Sequence, residues 1–171
     1  DGHVTNLGIG RGSPQGRVAS ICEDSGGAVW LYTKDGRLWR YQNGRTNAFR
    51  VDADRPSNCR TIIAEKTNLV WVGTDSHVTG IDAIALSQPP ALAVKADLPV
   101  AGKLDFLLAS QQGGYWRLAD GRVQKWKANG VELDWGPYPW NYAPVTTACE
   151  DAQGNLLVGT RGAGVFWYDS D

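Results

Sequence analysis

One repetition constrains this chain more than any other feature. The stretch ICEDSGGAVW at 21–30 returns as ACEDAQGNLL at 148–157, 127 residues later. Laid over one another without a gap, Glu23 and Asp24 fall on Glu150 and Asp151, Thr33 on Thr160, Trp39 on Phe166 and Tyr41 on Tyr168. Trp30 falls on Leu157. A further copy, RTIIAEKTNLVWVGTDSHVTGID at 60–82, lies 41 residues after the first, matching Glu65 to Asp24, Trp71 to Trp30 and Thr74 to Thr33. A weaker one, LDFLLASQQGGYWRLADGRVQKW at 104–126, aligns with Ser110 in the threonine's place and Trp116 on Trp39. Four copies at a period a little over forty residues mark stacked supersecondary units.

Each copy reads as strands. VASICED alternates, with Val18, Ser20 and Cys22 on one side and Ala19 and Ile21 on the other. The turn SGG, the run AVWLYT, the turn KDG, the run RLWRY, the pair Asn43-Gly44 and the run RTNAFRV follow. Asn-Gly and Asp-Gly supply the positive φ that tight hairpins need. A helical reading fails, because Gly or Pro interrupts nearly every window longer than about ten residues. Four short antiparallel strands cannot bury both faces alone, so the units stack face to face about an axis. The expected fold is all-β: a β-propeller built from four four-stranded antiparallel repeats at about 17–51, 58–97, 98–128 and 144–171, in one domain over 1–171. Residues 2–8 match the outermost strand of a preceding or closing unit.

Within a unit, Asp24 and Asp151 end the innermost strand, where a carboxylate accepts hydrogen bonds from turn amides. The competing reading, a catalytic acid and base, needs no copies, whereas turn chemistry does. Trp30 and Trp71 are expected between units, where a large ring fills the gap. Thr33, Thr74, Thr160 and Ser110 are expected to close a strand and tie down the next turn.

Composition removes several function classes. Seventeen basic against eighteen acidic residues give a net charge of −1 with no block of like charge, so nothing favours nucleic acid or an anionic membrane. No apolar run approaches the roughly 20 residues of a membrane helix. DGHVTNLGIG does not read as a signal peptide. Cys22, Cys59 and Cys149 have no metal spacing and read as small buried hydrophobes, and no cofactor or metal is expected. GIGRGSPQGR at 8–17 lacks the ending of a phosphate loop and reads as a connector kinked at Pro14.

The pattern in VASICEDSGGAVWLYTKDGRLWRY, RTIIAEKTNLVWVGTDSHVTGID and VTTACEDAQGNLLVGTRGAGVFWY resembles the repeat of two-component regulator propellers. That resemblance covers most of the chain and is poor over residues 88–106. It implies an arc of a ring of about seven blades, in a periplasmic or otherwise extracytoplasmic sensor region whose histidine kinase lies outside this chain. It implies a non-enzymatic module, with carbohydrate as the ligand class. Its partners would be the remaining blades or neighbouring sensor domains, an oligosaccharide ligand, or a second copy through the open faces of an arc. A closed four-bladed ring is the other arrangement. Alternative functions are a lyase similar to the streptogramin lyases, which would want a histidine and a carboxylate together, and a lectin-like propeller.

The expected ligand face carries the connections between units and the turns between second and third strands. It gathers Lys34, Asp35, Asp75, Ser76, His77, Gln111, Gln112 and Arg161, joined by Arg17, Asn58 and Arg60. The segment WGPYPWNY at 135–142 is expected there as a loop, with Trp135, Tyr138, Trp140 and Tyr142 held among prolines. Beside Asn141 and Arg161, such rings suit stacking on a sugar; the competing role is packing between units. The ligand-binding set is therefore Trp135, Tyr138, Trp140, Asn141, Tyr142, Arg161, Arg60 and His77, with no catalytic residue.

Overall fold

A computed structural model describes residues 2, 14, 16–51, 59–84, 92–128 and 130–170. Fifteen strands and no helix occur among them. The first unit holds β1 (Val18–Glu23), β2 (Val29–Thr33), β3 (Arg37–Gln42) and β4 (Arg45–Arg50), hydrogen-bonded in that order. The second holds β5 (Cys59–Ala64), β6 (Leu69–Thr74), β7 (His77–Asp82) and β8 (Val94–Pro99). The third holds β9 (Leu104–Ala109), β10 (Tyr115–Ala119), β11 (Arg122–Lys127) and β12 (Gly130–Pro137). The fourth has three described strands, β13 (Val145–Glu150), β14 (Leu156–Thr160) and β15 (Gly164–Tyr168). All pairings are antiparallel, and β1, β5, β9 and β13 lie side by side, which makes the chain a run of propeller blades.

The turns form as their residues dictate. Asn43 and Gly44 both have positive φ, 51° and 75°, and Asp120 and Gly121 repeat this at 55° and 73°. Thr33 Oγ1 donates to Arg37 O at 3.0 Å and Thr160 Oγ1 to Gly164 O at 2.8 Å, tying the second turn. Thr74 Oγ1 donates to His77 O at 3.2 Å.

The core lies between units. One cluster joins Trp30, Leu38 and Phe49 to Ile62, Val70 and Ile81; the next joins Trp71 and Val78 to Leu104, Leu107 and Tyr115. A third joins Trp116 and Val123 to Trp140, Leu156 and Val158. Ile62 N donates to Ser20 Oγ at 3.0 Å, linking the first two innermost strands. Where no described unit packs on the sheet the same positions are wet: Leu38, Val78 and Val123 are fully buried, but their equivalent Val165 is 72% exposed. Closing that difference is worth roughly 1.5–3 kcal/mol per aliphatic side chain.

Three expectations are corrected. The third unit runs over 104–137 instead of 98–128, because LDFLLA is its innermost strand and not its second. Ser110 therefore stands at the corner held by Asp24 and Glu65, Trp116 matches Trp30 and Trp71, and Ala119 takes the threonine's place. Cys149 is exposed, while Cys22 packs against the first cluster as foreseen. The side chain of Cys59, the proposed strand 2–8 apart from Gly2, and most of the 8–17 connector lie outside the described residues.

Candidate functional site

Every innermost strand carries one residue without a partner across the strand ladder. The ladder skips Ala19 in β1, Arg60 in β5, Asp105 in β9 and Thr146 in β13, each a β-bulge at the same place. Bulges re-aim side chains, and these four stand at the end of the innermost strands nearest the inter-unit connections. That the second turns share this end is seen in three matching bonds. Lys34 N donates to Arg17 O at 2.9 Å, Asp120 N to Lys103 O at 3.0 Å and Arg161 N to Pro144 O at 2.9 Å. Gln111 and Gln112, expected here, instead lie at the opposite end, in the first turn of the third unit.

Where the third unit meets the 138–144 connection that leads to the fourth, this end opens into a cleft of about 580 Å³, lined by Lys103, Asp105, Asp120, Tyr138, Asn141 and Tyr142 among others. Asp120 anchors its floor. The carboxylate accepts from Ala101 N at 3.3 Å, Gly102 N at 2.5 Å and Lys103 N at 3.1 Å, and Arg117 Nη2 stands 3.5 Å away. Asp105 takes the Tyr138 hydroxyl at 3.1 Å and the Lys103 ammonium at 2.5 Å. Burial, and then the adjoining Asp105 charge, push the Tyr138 phenol above its usual range. Tyr142 is fully solvent-exposed at the rim, beside Asn141 with φ of 55°. Two carboxylates, an ammonium, a phenol and a free ring offer both hydrogen bonds and a stacking surface to a hydroxyl-rich molecule.

The other expected residues part company. Pro137 ends β12, so Trp135 lies in a strand and not in a loop. Its ring stacks between Trp116, 4.6 Å away, and Tyr168, 4.9 Å away. Trp140 is 3% exposed, stacked on Tyr138 at 4.6 Å and tilted against Phe166 at 4.9 Å. These rings seal the gap between the third and fourth units. Arg60 pairs with Asp75, and His77 opens β7 with Nδ1 3.0 Å from Ser76 Oγ, both in the second unit. Arg161 is exposed in the fourth unit's second turn, outside the cleft lining. Asp105 and Asp120 were missed by sequence reasoning. The Asp120-Gly121 turn signal was legible, but the misaligned third copy hid which face it serves. Among the described residues no cluster of metal-ligating side chains occurs.

The acid pair has a structural role. Asp24 Oδ1 accepts from Gly26 N and Ala28 N at 2.9 Å each, and Asp151 Oδ1 from Gln153 N and Asn155 N at 2.9 Å each. Glu150 is buried against the third unit, taking Ser110 Oγ at 2.9 Å.

No family model and no curated protein matches this chain. Among solved structures it is similar to virginiamycin B lyase from Staphylococcus aureus, at 12% identity and a TM-score of 0.66, over 88% of this chain and 55% of that one. The extracellular domain of a putative hybrid two-component system from B. thetaiotaomicron is similar at 20% identity and a TM-score of 0.67, over 93% and 21%. The WD40 propeller domain of Doa1 is similar at 10% identity and 0.63, over 84% and 47%. The chain thus spans about half of the lyase and a fifth of the sensor chain. Identities this low speak for architecture alone, and on that evidence the chain is a partial β-propeller.

Proposed function

We propose that this chain is a non-enzymatic recognition segment of an extracytoplasmic two-component sensor, and that the cleft between its third unit and the 138–144 connection takes an oligosaccharide. The single observation that carries the reading is the cleft itself. The fully exposed ring of Tyr142 and the fixed carboxylates Asp105 and Asp120 line it together. A ring free on both faces stacks on the apolar face of a sugar, while carboxylates accept from its hydroxyls. The sensor context is supported by the repeat pattern and by the architectural likeness to an extracellular sensor domain.

Glycan-array screening followed by calorimetry tests this. Tyr142→Ala is expected to weaken binding at least tenfold while leaving stability within about 0.5 kcal/mol, as a surface change should. Sugar binding unaltered by both Tyr142→Ala and Asn141→Ala would remove the cleft from consideration. The lyase reading draws on the likeness to virginiamycin B lyase. Against it, His77 stands in the second unit, away from the cleft carboxylates. Mass spectrometry after incubation with virginiamycin B decides, since any cleaved product would favour the enzyme.

A further inference from the structure

Each junction between units brings two positions together: the corner residue after one innermost strand, and the last residue of the next innermost strand. At the third junction these are Ser110 and Glu150. Ser110 Oγ donates to Glu150 Oε1 at 2.9 Å and Gln111 N to Oε2 at 2.5 Å. By register, the first junction pairs Asp24 with Ala64 and the second Glu65 with Ala109. A carboxylate stands on one side of every junction and on both sides of none. Where the corner is acidic, its own unit uses it: the Trp30 indole donates to Asp24 and the Trp71 indole to Glu65. The following strand then ends in alanine. Where the corner is a hydroxyl, the following strand supplies the carboxylate. Two carboxylates facing one another would repel, which gives the alternation its cause. The first turns of successive units do meet, as Lys66 Nζ donating to Gln111 O and Gln112 Nε2 donating to Gln153 O, both at 3.3 Å, demonstrate.

Glu23 is the register equivalent of Glu150, yet it is exposed. Beside it Ile21 is 61% exposed, whereas its equivalents Ile62 and Leu107 are each 2% exposed. Leu31 and Trp39, further out on the same side, are buried, so the open strip is the innermost strand. β1 thus presents the acceptor half of a serine–glutamate junction.

We propose that β1 is the docking edge for a further propeller unit whose corner residue is serine or threonine, donating its hydroxyl and the next backbone N–H to Glu23. The fourth unit is not that partner. Its corner is Asp151, whose carboxylate is already engaged by Gln153 and Asn155. Closing the chain on itself, or seating a second copy head to tail, sets Asp151 against Glu23. The occupant is a unit with a different corner, and this holds whatever the cleft binds.

The test fuses a second copy of residues 104–127 ahead of the full chain, with its corner either native or changed by Ser110→Asp in that copy alone. Both fusions are made with Glu23 and with Glu23→Ala, and amide exchange over Val18–Glu23 is read by mass spectrometry. The serine-cornered copy should slow exchange at least tenfold when Glu23 is present, and the aspartate-cornered copy should not. With Glu23→Ala the aspartate-cornered copy should protect as well as or better than the other. Equal protection by both copies beside Glu23, no protection by the serine-cornered one, or no change of preference with Glu23→Ala overturns the proposal. Sedimentation of the unfused chain gives an independent arm: Glu23→Ala, which recreates the acid–alanine pairing with Asp151, should strengthen self-association at least tenfold. Unchanged association would likewise overturn it.

Discussion

Trp30 and Asp24, six residues apart, are joined by a 2.7 Å hydrogen bond from the indole nitrogen to Oδ2, while Oδ1 of the same carboxylate holds the turn. One buried side chain therefore serves both the hairpin and the inter-unit core. Asp24→Ala leaves the indole and the Ala28 amide unpaired in the interior. A loss of roughly 2–4 kcal/mol is expected, since each orphaned buried donor costs about 1–3 kcal/mol. Urea denaturation followed by Trp fluorescence measures it.

The third unit lacks that bond. Its corner is Ser110, and Trp116 Nε1 is buried without a partner. Ser110→Asp brings a carboxylate toward the indole but sets it against Glu150, and should destabilise by about 2 kcal/mol or more through the buried like charge. Adding Glu150→Ala converts the junction to the acid–alanine type and should recover most of the loss. A double-mutant cycle in urea checks this; additive losses would contradict it.

Gly80 carries the Trp71 ring. A Cβ there would lie 2.7 Å from the ring, closer than side-chain carbons approach. Gly80→Ala should cost about 1–3 kcal/mol by overpacking. Combining it with Trp71→Leu should be less destabilising than the sum of the two changes, and thermal unfolding of the three variants reads the difference.

Burial, and then the Asp24 charge, raise the Cys22 thiol from 9.0 to about 12. The folded state then keeps a proton that the unfolded chain releases above about pH 9, so this contribution to stability is whole below pH 9 and falls between 9 and 12. Cys22→Ala should flatten the decline between pH 9 and 10, before the raised Tyr115, Tyr138 and Tyr168 phenols join in. In the folded chain, alkylation mapped by mass spectrometry should mark exposed Cys149 well before Cys22.

Much of this was legible in the residues. The acid pair, the second-strand tryptophans and the closing threonines recur because backbone geometry demands them, and Asp24, Asp151, Trp71 and Thr160 stand where the repeat put them. The third unit hides its register because it breaks the pattern in both places that mark it: Ser110 for the corner acid and Ala119 for the threonine. Read from sequence, its strand order then slips by one. The cleft was half visible. The sequence points to Tyr138, Asn141 and Tyr142, but Trp135 and Trp140 look alike in sequence whether they face a sugar or the rings of neighbouring strands. Only the stacked neighbours Trp116, Phe166 and Tyr168 decide that.

The bulge in each innermost strand has a consequence for how such a protein changes over time. Ala19, Arg60, Asp105 and Thr146 occupy the one site per innermost strand that the hydrogen-bonded ladder leaves out of its count. Small, cationic, anionic and hydroxyl side chains all stand there without disturbing the strands around them. Mutation can therefore rewrite the chemistry presented at the connection end of the blades while the scaffold that holds it stays untouched.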